Sequence, residues 1–478
     1  MTQMTQIKHN LKVQPYPYQL EGIEYGMNHR RLIIGDEPGL GKTLQSIGIV
    51  NAACAFPCLV ICPSSLKINW QREWHKFTDK SAIVLDNATR TTWGYLLSMG
   101  MHQVAITNYE SLRKFFVWDI KTEGTFKLKD VVFCPQINIF RSIIIDESHR
   151  VKDASAQQTI FTKGIAYGKE WCIMLSGTPV VNRPADLISQ LSIMGRLNDF
   201  GGRSKFEKDF CTESKQEKPA VPLSVLSKKL YDSCMIRREK SKVLTQLPDK
   251  TRVELLLDID NREEYMMAEN DLRTYLREYK QCTDQEIRRK MRMAALVKFM
   301  TLRQLATIGK ISQAVEFISN FLSSGKKLIV FCALHELVDE LKKRFPDSVT
   351  VTGRQSASQK QESVDDFQNK EETKLIICSI KAAGVGLTLT AASDVAFLEL
   401  PWTYADCCQC EDRAHRIGQK DNVTAYYLLG HNTIDSVVYS LINKKKTVAS
   451  EIMNAEDEIP TDKMYFDELV NSFCNGNI

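Results

Sequence analysis

No stretch of about 18 uncharged apolar residues occurs in the 478-residue chain, which argues against a membrane-spanning helix. The opening segment, Met1 to Asn10, is polar and lacks the apolar run of a secretory signal. The fourteen cysteines lack the paired spacing of a zinc ribbon or a disulfide scaffold. Their densest group, Cys407, Cys408 and Cys410, has no second cluster to complete the four ligands of a closed zinc site. Free thiols in such number fit a reducing compartment, so a cytoplasmic or nuclear location is expected. Charge of one sign is also scarce. The 63 Lys and Arg residues exceed the 58 Asp and Glu by only five, too few to establish a nucleic-acid partner on composition. No internal repeat is evident, so a solenoid or propeller is not expected.

What is present is an ordinary globular composition, and the length allows two or three domains. Short, continuous apolar runs recur in the first half at Arg31–Ile34, Cys58–Ile61, Val104–Ile106, Ser142–Ile145 and Cys172–Leu175. They recur in the second half at Leu328–Phe331, Val349–Val351, Leu375–Ile377, Val395–Leu398 and Thr424–Tyr427. Runs without polar alternation fit parallel strands buried on both faces. Helical stretches such as Leu334–Arg344 and Gln361–Gln368 separate them, which predicts two α/β lobes. Between the lobes, from Pro184 to Ser323, strand signals nearly vanish. Lys215 to Pro222 reads as a polar loop, and Asn261–Ile318 as long charged helices. The basic run Arg288 to Arg292 lies among them. The tail beyond Ser450 turns acidic at Glu456-Asp457-Glu458 and is expected to be loosely held. These readings divide the chain at 1–235, 236–322, 323–445 and 446–478.

The first apolar strand runs into Gly35-Asp36-Glu37-Pro38-Gly39-Leu40-Gly41-Lys42-Thr43, and a helical stretch over Thr43–Ala53 follows. Glycines allow backbone N–H groups to close around phosphate oxygens, and the helix N-terminus adds positive potential. Lys42 would then reach the β- and γ-phosphates, and the Thr43 hydroxyl would ligate Mg²⁺. Asp36 stands where such loops usually have their first glycine. A second strand, Ile143–Ile145, ends in the adjacent carboxylates Asp146 and Glu147. At the edge of a parallel sheet these residue types suit a Mg²⁺ ligand and a base for the attacking water, respectively.

Together with further segments, these elements resemble the Swi/Snf family of helicase superfamily two over about Pro17 to Lys445. Pro17-Tyr18-Gln19-Leu20-Glu21-Gly22 is similar to the adenine-reading motif, and Asp36 to Thr43 resembles the family's own phosphate loop. Cys62 to Leu66 with Trp70, Thr107-Asn108-Tyr109, Asp146 to His149, and Ser176 to Pro179 with Asn182 resemble the next motifs. Ile236-Arg237-Arg238 with Lys240 resembles the link between the lobes. Thr352-Gly353-Arg354 and Ser379 with Ala383 to Leu389 resemble DNA-contacting loops, and Gln409 to Gln419 resembles the helix that supplies arginines to the γ-phosphate. Pro401-Trp402-Thr403 departs from the family's usual Trp-Asn-Pro, leaving Trp402 either DNA-facing, lobe-coupling or in the core. The likeness is strongest to compact bacterial or viral members and to the HepA-related, annealing-helicase branch.

The resemblance implies two tandem RecA-like lobes with a helical insertion between them, driven by ATP and Mg²⁺. It implies catalysis by Lys42, Asp146, Glu147, Arg413 and Arg416. It assigns nucleotide contacts to Gln19, Asp36, Glu37, Gly39, Leu40, Gly41, Lys42, Thr43 and Gln409, and the metal to Thr43 and Asp146. It implies sequence-blind backbone contacts to double-stranded DNA through Ser65, Lys67, Asn108, Arg354, Ser379 and Lys381. The expected activity is ATP-driven movement along the duplex. A strand-separating DNA or RNA helicase would use the same engine. A non-hydrolysing ATP-gated clamp would be expected to lack Lys42, Glu147 or the arginines, all of which are present.

Overall fold

The structure, a computed structural model, describes residues 9–122, 124–177, 184–211, 220–244, 246–282, 284–383, 387–453, 466, 469–471 and 473. Several of the segments singled out above lie outside the described residues: Thr178, Pro179 and Asn182, Lys215 with 216–219, Gly384 to Gly386, and Glu456 to Glu458. The chain divides into two compact units, 1–245 with 451–459, and 246–450 with 460–478.

The first unit contributes β1 (Arg31–Ile34), β2 (Cys58–Cys62), β3 (Ala82–Val84), β4 (Val104–Asn108), β5 (Val117–Ile120), β6 (Val131–Phe133), β7 (Ser142–Asp146), β8 (Trp171–Leu175) and β9 (Met235–Ile236). Seven of these form a parallel sheet in the order β3-β4-β2-β7-β8-β1-β9. Every residue of β2, β4 and β8 is buried, as continuous apolar runs require when helices cover both faces. Ile61, Ile145 and Met174 meet Trp93, Tyr109 and Phe116 in one core. Each fully buried aliphatic side chain contributes roughly 1.5–3 kcal/mol over exposure, so packing outweighs local propensity here. The antiparallel pair β5–β6, with a register shift between Val117 and Asp119, and the short β3 were not anticipated from sequence.

The second unit contributes β10 (Lys250–Leu257), β11 (Leu328–Cys332), β12 (Val349–Val351), β13 (Leu375–Ser379), β14 (Asp394–Phe397) and β15 (Val423–Gly430). They form a second all-parallel sheet in the order β10-β15-β14-β11-β13-β12. The two-lobe parallel α/β plan expected from sequence is therefore present. The stretch expected to be almost free of strands nevertheless contains β9 and β10. β10 is an edge strand in which half-buried and exposed positions nearly alternate, with charges at Lys250, Arg252 and Glu254, so it gives no continuous apolar run.

The charged helical region forms helices Arg262–Gln281, Gln285–Gly309 and Ile311–Ser323. The first two bury Tyr265, Leu272, Phe299 and Leu302 in the core of the second unit. Asp284 caps the second by accepting from the N–H groups of Glu286 and Ile287. The tail differs from the expectation of a loose segment. Phe466, Leu469, Val470 and Phe473 are at most 3% exposed, and Phe466 and Phe473 pack edge-on to Phe299. No helix among the described residues is long and apolar enough to cross a membrane.

Candidate active site

Parallel strands deliver their C-terminal ends to one edge, and in the first unit that edge collects Gly35, Pro63, Asn108, Asp146 and Ser176. Between β1 and the helix Lys42–Ala52 the loop passes through Gly39 at φ +90° and Gly41 at φ +74°, conformations that suit glycine. A Cβ at Gly41 would also lie 2.4 Å from Gln19 Nε2, so the loop tolerates no side chain there. Gln19 is buried. Its Oε1 accepts from Tyr16 N–H at 3.0 Å and its Nε2 donates to Leu40 O at 3.2 Å, tying the expected base-reading residue to the loop.

Lys42 Nζ donates to the carbonyls of Asp36 at 2.6 Å and Glu37 at 3.3 Å. Burial lowers the pKa of its ammonium, opposed by the charges of Glu147, Asp36 and Asp146. At the end of β7, Asp146 Oδ2 accepts from Trp70 Nε1 at 2.9 Å and Oδ1 from Glu147 N–H at 3.0 Å. Burial, then the neighbouring Glu147 carboxylate, pushes Asp146 up to about 7. Together with the Thr43 hydroxyl at the start of the helix, Asp146 offers the hard oxygen donors that fit Mg²⁺.

Glu147 adopts φ +52°, a left-handed conformation that costs a non-glycine residue on the order of 1 kcal/mol or more. Its Oε2 lies 3.3 Å from His149 Nδ1, which is also 3.2 Å from Ser176 Oγ. The imidazole thus bridges the carboxylate and the segment following β8.

Asp36, expected among the nucleotide contacts, has its side chain fully buried and both oxygens engaged within the protein. Oδ1 accepts from the backbone N–H and Nε of Arg238 at 2.9 and 3.0 Å, and Oδ2 from Arg238 Nη2 and Gln45 Nε2 at 2.6 and 2.9 Å. Asp36 is an internal anchor here. Glu37 similarly accepts from Lys240 N–H at 2.8 Å.

Ser65 and Lys67 follow β2 and are half-buried. Asn108 ends β4 and is buried. Its Nδ2 donates to Glu110 Oε2 at 2.7 Å, while Oδ1 has no hydrogen-bond partner. In the second unit, Ser379 is buried at the end of β13 and Lys381 is exposed just beyond it. Arg354, exposed after β12, pairs with Asp339 at 2.8 Å.

The helix Tyr404–Glu411 carries Gln409 and leads into both arginines. Arg413 Nη1 and Arg416 Nη1 donate to the same carbonyl, Leu387 O, at 3.3 and 2.9 Å, and Arg413 Nε donates to Gln409 O at 3.0 Å. Cys407 and Cys410 pack this helix into the core, where burial pushes both thiols up. Sequence reasoning missed what holds the helix end: Glu411, fully buried, is gripped by Lys250 and Arg252 of β10. It also missed the roles of Arg238 and of Arg237, whose Nη1 donates to Gly35 O and Gly177 O. The adjacent arginines directly after a short apolar pair were the available signal. Trp402 is 36% exposed, and its ring lies 3.8 Å under the Arg303 guanidinium, so it is not a core residue.

The SNF2-related domain profile matches residues 18–310, and the helicase conserved C-terminal domain profile matches 309–418. A "SWI/SNF-related matrix-associated actin-dependent regulator of chromatin subfamily A-like protein 1 homolog" of Caenorhabditis elegans is 29% identical over 94% of this chain and 64% of its own length. The human "DNA annealing helicase and endonuclease ZRANB3" is 31% identical over 94% of this chain and 41% of its own. This chain thus spans less than two thirds of these relatives. Among solved structures, the "Sulfolobus solfataricus SWI2/SNF2 ATPase core in complex with dsDNA" aligns with TM-score 0.43 at 23% identity, covering 92% of each chain.

Proposed function

The chain belongs to the SNF2-related family, and on that premise we propose that it is a DNA-dependent ATPase that moves along double-stranded DNA. The observation that carries the reading is the meeting of Lys42, Asp146 and Glu147 at one sheet edge, each within the electrostatic reach of the others. A loop lysine, a cation-ligating aspartate and a following glutamate are the parts phosphoryl transfer requires.

In this reading Gln19, Gly39, Leu40 and Gly41 seat the nucleotide, and Lys42 exchanges its carbonyl partners for phosphate oxygens. Thr43 and Asp146 would hold Mg²⁺, which neutralises charge on the phosphates when bound. Glu147 is the base that orients and deprotonates the attacking water. Its hydrogen-bonding neighbour His149 links that event to Ser176. Arg413 and Arg416 take the role that the resemblance implies, neutralising charge on the transferred phosphoryl group. Gln409 supports Arg413 through its carbonyl, and Glu37 supports the loop through Lys240.

Duplex contacts are assigned to Ser65, Lys67, Asn108, Arg354, Ser379 and Lys381. The exposed cations Arg354 and Lys381 support backbone recognition. A cytoplasmic or nuclear site of action follows from the DNA substrate.

The test is phosphate release from ATP with no nucleic acid, single-stranded DNA, blunt duplex DNA and RNA, with Glu147→Gln as control. Duplex stimulation that vanishes in the control is the expected result. Stimulation by single strands or RNA alone would move the protein to the strand-separating class.

A further inference from the structure

Where a phosphate-binding loop usually has its first glycine, this chain has Asp36, and the structure supplies a reason that has nothing to do with phosphate. The carboxylate is fully buried and meets the Arg238 guanidinium through both oxygens, at 3.0 and 2.6 Å. Arg238 also donates from Nη2 to Gln45 Oε1 at 2.6 Å and from Nη1 to the Tyr18 carbonyl, and its guanidinium lies 5.3 Å from the Tyr18 ring centroid. The backbone follows the same course: Glu37 N–H donates to Arg238 O at 3.1 Å, and Lys240 N–H to Glu37 Oε2 at 2.8 Å. Arg237 joins Gly35 to Gly177 through its own Nη1. Residues 237–240 therefore touch the base-reading motif, the phosphate loop, the helix behind it and the segment after β8. The chain then leaves its first unit after residue 245.

We infer that Asp36 and Arg238 are a positioning pair that transmits the state of the nucleotide loop to the departing segment. Asp36 thereby sets turnover and not nucleotide affinity. This rests on the ATPase reading above. A fork–fork pair suits the task, because two parallel bonds fix orientation as well as distance, whereas a lone lysine would fix only distance. A glycine at position 36 would leave Arg238, 11% exposed, with only the exposed Glu21 carboxylate 4.0 Å away as counter-charge.

Two variants test the pair. Asp36→Asn with Arg238→Gln removes both charges together, so no uncompensated ion is left buried. Arg238→Lys keeps the charge and loses the fork. For each, thermal melting, the Kd for a fluorescent ATP analogue, and kcat with and without duplex DNA are measured. The expected result is parent-like melting and Kd with kcat lowered about tenfold, a coupling of the usual allosteric size. A raised Kd with unchanged kcat would make Asp36 a nucleotide ligand and overturn the inference. Unchanged Kd and kcat, or failure of both variants to fold, would reduce the pair to a stability element and overturn it too. The parent protein separates the two readings. If duplex DNA does not stimulate it, the motor assignment fails, while the split between Kd and basal kcat still tests the pair.

Discussion

Arg252 grips Glu411 through two bonds, Nε to Oε1 at 2.7 Å and Nη2 to Oε2 at 3.0 Å, at a site where the glutamate is fully buried. Lys250 Nζ adds a contact of 2.8 Å, and the Tyr427 hydroxyl donates to Oε1 at 2.6 Å. The edge strand β10 thus fixes the end of the helix from which Arg413 and Arg416 follow.

The first prediction comes from that cluster. Burial would raise the Glu411 pKa, yet Lys250 and Arg252 hold it below its ordinary value. Its contribution to stability is therefore present above the ordinary carboxylate range and lost as pH falls through its depressed pKa. Glu411→Gln keeps the shape but strands the partly buried Arg252 and leaves Lys250 only Asp412, 3.5 Å away, and should cost about 3–5 kcal/mol in urea denaturation at neutral pH. An unchanged midpoint would refute the account.

Asp146 gives the opposite sign. Its pKa stands near 7 against an ordinary 3.8, so the native state binds a proton that the unfolded chain has released. Without Mg²⁺, the contribution of Asp146 to stability should fall as pH rises between those two values. Asp146→Asn should flatten that part of the pH profile, and Mg²⁺ should stabilise the parent at pH 7.5 but not the variant. Denaturation midpoints at pH 5 and 7.5, with and without the metal, provide the measurement.

Glu147 holds φ +52° at the point of reaction, so its function and its stability pull apart. Asparagine tolerates this conformation better than glutamine does. Both Glu147→Asn and Glu147→Gln should abolish hydrolysis, with the Asn variant the more stable by roughly 0.5–1 kcal/mol. Equal melting of the two would show that the backbone is not strained there.

What could be read from the sequence followed from local chemistry. The strands buried on both faces announce themselves as apolar runs, and Gly39, Gly41 and Lys42 carry their spacing within a few residues. What escaped depends on distant partners. Asp36 looks like a departure from a loop pattern until Arg238, 202 positions away, closes on it. β10 escaped because Lys250, Arg252 and Glu254 break the run that marks a central strand. The docked tail was legible in principle: Phe466, Leu469, Val470 and Phe473 recur at helical spacing, but the acidic residues before them drew the reading.

That tail should be a firm part of the second unit. Phe473 is fully buried, packs against Phe299, lies under the Arg273 guanidinium, and accepts from Arg273 Nη1 through its carbonyl at 2.8 Å. Phe473→Ala should destabilise the unit by about 3–5 kcal/mol, with faster proteolysis of the C-terminal segment. Parent-like denaturation would mean the segment docks without contributing.

Arg354 offers the sharpest check on the DNA contacts because its partner is also exposed. It pairs with Asp339 at 2.8 Å, both side chains more than half exposed, so the pair itself is worth little to stability. A phosphate competing for Arg354 must displace Asp339. Arg354→Ala should therefore weaken duplex binding and reduce the slope of log K against log salt by about 1. Asp339→Ala should do the reverse, tightening binding by freeing the guanidinium while leaving the melting temperature unchanged. If Asp339→Ala leaves affinity untouched across a salt titration, Arg354 does not meet the backbone, and the duplex contacts of the second unit would rest on Ser379 and Lys381 alone.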